Sequence, residues 1–208
     1  MYPVPNKMGN KRRRVRIPQT VRMILVVSSF GRAGSSLVMK MLQAGGYPIL
    51  ANKPGSLEHT GMAQLPTYST WLEDGCAVKI NDPHLFTPPK GLDYQFIWLS
   101  RDPKQQAKSM IKLNKALWPH KEVRSERASM RFKMKFIKKS TPQCLRLFKR
   151  LSKRPVIQIN FEEIITNPEK ISNRIQNYAE RKLNINKMIK VVETRAIDIH
   201  PRIMEIGQ

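Results

Sequence analysis

The feature that most constrains this chain is a continuous apolar run, Met23 to Val27 (MILVV), that leads straight into the turn Ser28 to Ser36 (SSFGRAGSS). Leu37, Val38, Met41 and Leu42 then recur at helical spacing up to Gly45 and Gly46. A strand without polar alternation is covered on both faces, and a helix that follows it at once is the start of a parallel sheet. Further short apolar runs repeat the pattern, at Ala77 to Ile80, at Tyr94 to Leu99 (YQFIWL) and at Val156 to Phe161 (VIQINF). Between them, Ser109 to Leu117 reads as a helix ending before Trp118 and Pro119. Arg124 to Lys139 is basic and at best amphipathic, and a separate helix follows on Leu145, Phe148 and Leu151. Thr166, Asn167, Pro168 and Glu169 open another helix, with Pro at its first position and Glu169 closing a capping box; Ile171, Ile175 and Tyr178 line its face. Strands alternating with helices define an α/β fold with a mainly parallel central sheet and flanking helices.

The 208 residues suffice for one domain with a substantial core, and no internal repeat divides them. The expected organisation is a basic, disordered arm over 1–22 and an α/β domain over 23–208. No apolar run approaches the ~20 residues of a membrane span, and the first residues lack the apolar stretch of a secretory signal, so a cytoplasmic protein without a transmembrane segment is expected. Cys76 and Cys144 supply neither a disulfide framework nor a zinc site, and no metal is expected. The net charge is +23 and is unevenly placed. Residues 1–22 carry seven basic and no acidic side chains, and 101–154 carry eighteen and three; 23–100 and 155–208 are almost balanced. Such a field draws in anions without naming which.

The turn after the first strand delivers a helix N-terminus to the edge of the sheet where ligands bind in parallel folds. Gly31 and Gly34 allow backbone N–H groups to approach an anion, Arg32 adds a fixed cation, and Ser35 and Ser36 add hydroxyls. The turn is not a nucleotide-hydrolysing Walker A loop, because Gly34 is followed by Ser35 where that loop needs a lysine.

In this order and spacing the chain resembles the sulfotransferases that use 3′-phosphoadenosine 5′-phosphosulfate (PAPS). That family's 5′-phosphosulfate loop reads Pro-Lys/Arg-Ser-Gly-Ser/Thr-Ser/Thr. Gly31, Arg32, Ala33, Gly34, Ser35 and Ser36 fill it here, with Gly for Pro and Ala for Ser. Its 3′-phosphate motif is an Arg after a buried strand and a Ser eight residues on, matched by Arg101 and Ser109 after YQFIWLS, with Asp102 and Pro103 completing Arg-Asp-Pro. The stretch NFEEIITNPEKI, Asn160 to Ile171, matches its later strand and Pro-initiated helix, and QAGGYPIL, GSLE and AVKINDP look like bacterial members. The likeness runs from about Met23 to about Leu183.

The resemblance implies a P-loop-like sulfotransferase fold and PAPS as donor, leaving adenosine 3′,5′-bisphosphate as product, with no metal in the reaction. It implies donor binding by Gly31 to Ser36 with Arg101 and Ser109, and transfer to a hydroxyl or amine of a carbohydrate, lipid or small metabolite. Arg32, with Ser35 and Ser36, would stabilise the transferring group, and Lys79 at a strand end would assist it or orient the base. The base is Glu58, which matches the bacterial pattern, or His84, which falls near the histidine of cytosolic members. The C-terminal Arg-Lys-Gly segment of the cytosolic branch is absent. The stretch 112–154, fifteen basic residues against two acidic, has no counterpart in the resemblance. It reads as a solvated helical face, an interaction surface, or the lining of a groove for an anionic glycan acceptor. A basic nucleic-acid-binding protein on an α/β scaffold is the alternative, weakened because only Phe132 and Phe136 interrupt the basic run. Oligomeric state is left open.

Overall fold

The structure, a computed structural model, describes residues 23–50, 75–84, 88, 90–117 and 125–197. Four parallel strands form one sheet in the order β2-β1-β3-β4: β1 Ile24–Ser29, β2 Ala77–Asn81, β3 Tyr94–Ser100 and β4 Ile157–Asn160. The helices are α1 Ser35–Ala44, α2 Pro103–Leu117, α3 Glu126–Leu151, α4 Phe161–Thr166, α5 Pro168–Ala179 and α6 Ile185–Ile197. The α/β fold with a parallel sheet and flanking helices is as the apolar runs require.

All six residues of β1 are buried, and their alternation feeds two cores. Leu25 and Val27 pack with α1, α5 and α6, whereas Ile24 and Val26 pack under α3. In the second core Phe148 of α3 stacks on Phe96 with ring centroids 4.1 Å apart and planes 12° from parallel. The chain leaves β1 for β2 on one side and returns to β3 on the other. Strand order therefore reverses at β1, which is the position of the ligand crevice in parallel α/β folds, beyond the C-terminal ends of the strands.

Several boundaries differ from the sequence reading. The helix expected from Ser109 starts at Pro103, where Asp102 accepts from the backbone N–H of Gln105 at 2.8 Å. The basic run and the helix after it are one 26-residue helix, α3, that continues through Pro142. Ile137, Ser140, Cys144 and Phe148 recur every three or four residues on its buried face, so packing on the sheet holds what the proline weakens. Phe161 is not strand: Asn160 ends β4 and caps α4 by accepting from the N–H of Glu162 at 2.7 Å. The capping box at Thr166 does not form. Thr166 closes α4, its hydroxyl donating to the carbonyl of Glu162, and Asn167 precedes Pro168 as an N-cap whose side chain makes no capping bond, donating instead to Thr166 Oγ1 at 3.0 Å. Helix α6, for which no element was expected, buries Met188 and Val192 in the first core. The arm over 1–22 lies outside the described residues.

Phe148→Ala removes the stacked ring between α3 and β3 and is expected to lower unfolding free energy by about 3 to 5 kcal/mol. Urea denaturation checks this; a loss below about 1 kcal/mol would mean that α3 is not held by that contact.

Candidate functional site

Beyond β1 the chain turns sharply: Arg32 has φ 70° and Gly34 φ 95°, both in the left-handed region. Gly34 is the residue before α1, and its carbonyl accepts the first helical bond, from Val38 N–H at 3.1 Å. The N–H groups of the first turn of α1 are directed at the crevice beyond the sheet, as at any helix N-terminus. Gly34 is required twice over. Its φ is costly for any other residue, and a Cβ there would lie 2.5 Å from Cδ2 of Phe161.

Two residues from the end of β2 fasten the start of α1. Lys79 is 6% exposed and donates from Nζ to Ser36 Oγ at 2.9 Å. The side chain of Asn81 accepts from Ser35 Oγ at 3.2 Å and lies 3.5 Å from Ser29 Oγ. The sequence reading missed Asn81. Its signal is the period-two pairing of Lys79 and Asn81, the polar members of the strand AVKIN, which point to one face.

On the other side of β1, the glycine turn is tied to β3 and α2. Gln106, buried in α2, donates from Nε2 to the carbonyls of Phe30 and Gly31, each at 3.0 Å. Arg32 Nε donates to Ser109 Oγ at 3.0 Å, and Arg101 Nη1 lies 3.5 Å from the Arg32 carbonyl. Arg101 does not pair with Asp102. Its guanidinium lies 4.6 Å over the ring of Phe161, and its Nε is 3.7 Å from Glu162 Oε1, within charge reach but beyond hydrogen-bond distance. Arg101 Nε is buried with no hydrogen-bond partner. Phe161, from α4, thus touches both parts of the site, its edge against Gly34 and its face under Arg101.

The structure therefore brings together Gly31, Arg32, Ala33, Gly34, Ser35 and Ser36 with Lys79, Arg101 and Ser109. Arg32, Lys79 and Arg101 meet around a helix N-terminus, with Glu162 3.7 Å from Arg101, a setting suited to phosphate-like groups.

His84 sits past the end of β2 with its ring edge-on to Phe30 at 5.7 Å and 5.4 Å from Phe136 of α3; its Nδ1 is buried without a partner. Beside it Asp82 adopts φ 52°. Burial pushes the Asp82 carboxyl above the usual carboxylate range, an effect opposed by His84 and by Lys133 of α3. Burial in turn pulls Lys133 below the ordinary lysine value, against the attraction of Asp82. Glu58 lies outside the described residues. Among the described residues no group of three or more His, Cys, Asp or Glu could hold a metal ion. None of their helices is long and apolar enough to cross a membrane.

No family model matches the sequence, and no curated protein matches it. Solved structures do match the fold. Retinol dehydratase in complex with androsterone and PAP superposes with a TM-score of 0.53 at 14% identity, over 82% of this chain and 63% of that one. The mouse sulfotransferase SULT7A1 complexed with PAP gives 0.52 at 15% identity over 82% and 62%. Sulfotransferase STF9 from Mycobacterium avium gives 0.52 at 14% over 88% and 69%. The architecture is the sulfotransferase fold of these neighbours. The chain spans just under two thirds of the length of the first two.

Gly34→Ala is expected to destabilise the protein by about 2 kcal/mol or more, from backbone strain and the collision with Phe161. Adding Phe161→Leu should return part of that loss, so the two changes are non-additive in a denaturation cycle. Additive costs would show that the glycine and the ring do not meet.

Proposed function

We propose that this chain transfers a sulfuryl group from PAPS to a hydroxyl or amine of a carbohydrate, lipid or small metabolite. The observation that carries this reading is the direct contact between the glycine turn and the Arg101/Ser109 pair, made through Arg32. Two anion sites that close together fit a nucleoside phosphorylated at both its 5′ and 3′ positions, and a single phosphate cradle would need only one of them. PAP, present in the neighbouring complexes, is that nucleoside, adenosine 3′,5′-bisphosphate.

In this reading the N–H groups of the turn, with the hydroxyls of Ser35 and Ser36, hold the 5′-phosphosulfate. Arg101 and Ser109 hold the 3′-phosphate, Ser109 exchanging the Arg32 contact for the ligand and Arg101 the weaker attraction of Glu162. Arg32 is then released towards the sulfuryl oxygens, and Lys79 reaches the first turn of α1 at Ser36 from the opposite, β2 side. Cations fixed where charge develops lower the barrier without reorganising. The acceptor attacks in line with the leaving phosphate oxygen, and its proton passes to a base. Glu58 and His84 are the two candidates. The partnerless Nδ1 and the packing between Phe30 and Phe136 support His84 as an imidazole held at a fixed orientation beside the crevice. The androsterone and retinol complexes of neighbours support including apolar lipids among the acceptors.

Adenosine 3′,5′-bisphosphate should raise the melting temperature more than AMP or ATP at equal concentration. Equal shifts for the three nucleotides, or none, would refute the reading. With PAPS saturating, Arg32→Ala should slow sulfuryl transfer by an amount equivalent to about 2 to 4 kcal/mol of barrier. A folded variant of undiminished rate would remove Arg32 from the chemistry.

A further inference from the structure

The basic stretch that the donor site leaves unexplained has a definite form in the fold. On α3, Arg127, Arg131, Lys135, Lys139, Arg146 and Arg150 are exposed at intervals of about one or two helical turns, with Lys138 and Lys149 beside them. The row extends over roughly 35 Å of helix. Its one acid, Glu126, is engaged by Lys115 of α2 at 3.0 Å. The opposite face of the same helix is the apolar one, already spent on the core through Ile137, Cys144 and Phe148. Helix α2, packed against α3, adds a second exposed row, Lys104, Lys108, Lys112 and Lys115, and contains no acidic residue.

The rows start at the crevice. Helix α3 runs against the strand direction: Ser152, just past its end, bonds to the carbonyl of Tyr94 at the start of β3, whereas Phe136 meets Phe30 beyond the end of β1. The ten residues before Phe136, about 15 Å of helix, therefore project past the strand ends beside the crevice mouth. Phe132 sits in that projection, one turn beyond Phe136, and is 69% exposed; it is the exposed large hydrophobic side chain among the described residues.

We propose that the outer faces of α2 and α3 dock on an anionic lipid bilayer and so hold the crevice mouth at the membrane surface. The chemistry of the described side chains on the face favours that occupant over a polymer. Among the described residues, the shallow concavity along it is lined by Arg131, Met134, Lys135, Lys138 and Lys139 of α3, four cations around one methionine. Among the described residues the exposed amides of α2 and α3 are Gln105, Asn114 and Gln143, few against the cations, and Phe132 as the one exposed large aromatic makes no stacking track. Point cations, among them the three lysines around the concavity, need no fixed partner geometry, which suits mobile phosphate headgroups. Phe132 offers the apolar side chain that can enter the acyl boundary between them. The proposal does not depend on the sulfuryl-transfer reading.

The test is co-sedimentation of the full chain with phosphatidylcholine vesicles and with vesicles containing one quarter phosphatidylglycerol. Binding to the anionic vesicles should be at least about tenfold tighter and should weaken as salt rises. Lys135→Glu/Lys138→Glu/Lys139→Glu should lower it about tenfold or more, and Phe132→Ser should remove the part that survives high salt. The melting shift given by adenosine 3′,5′-bisphosphate should be the same in both variants as in the parent, which separates this proposal from the donor site. Equal binding to both vesicle types would overturn the proposal. So would unchanged binding of the triple variant, which would assign the attraction to another segment, or displacement from the vesicles by duplex DNA or heparin at equal anion concentration, which would make a polymer the partner.

Discussion

The structure depends on the enclosure of β1. With a strand on either edge and a core on either face, all six of its residues are buried, and the contacts of the candidate site gather beyond its C-terminal end. The left-handed residues Arg32 and Gly34 convert a buried strand into a helix within a few positions. The cost of that turn is offset by the bonds that surround it, from Gln106 on one side and from Lys79 and Asn81 on the other. The same bonds align the N–H groups of α1 with the side chains arriving from β2, β3 and α2.

Phe161 gives this arrangement its spacing. Its ring fills the room left by the missing side chain of Gly34 and supports the guanidinium of Arg101, so the two cationic parts of the site rest on one rigid object. Glu162, the next residue, stands near Arg101 without bonding to it. A cation held by a ring and an imperfect ion pair is kept in place yet remains open to a better anion.

The sheet was legible because strands buried on both faces leave nearly continuous apolar runs, as MILVV and YQFIWL do, while the half-exposed edge strand β4 shows in VIQINF as β-branched residues alternating with polar ones. The glycine turn and the Arg101/Ser109 pair were legible because their chemistry is written in neighbouring residues. What escaped depends on distant partners. Asn81 acquires its role from Ser35, and Phe161 from Gly34 and Arg101, contacts that no local pattern encodes. Helix α3 was divided in the reading because Pro142 and a dense set of cations mask an apolar face that only the sheet reveals. Glu58, the base favoured by resemblance, lies among residues whose geometry is not described, while His84 is described and packed between two phenylalanines.

The central claim is that one crevice receives both phosphates of a single nucleoside, and a crystal structure of the protein with adenosine 3′,5′-bisphosphate tests it most directly. The expected result places the 5′-phosphate within hydrogen-bond distance of the backbone of Gly34 to Ser36, and the 3′-phosphate against Arg101 and Ser109 with the Arg32 side chain withdrawn from Ser109. A nucleotide bound elsewhere, or one whose second phosphate points to solvent while Arg32 stays on Ser109, would contradict it.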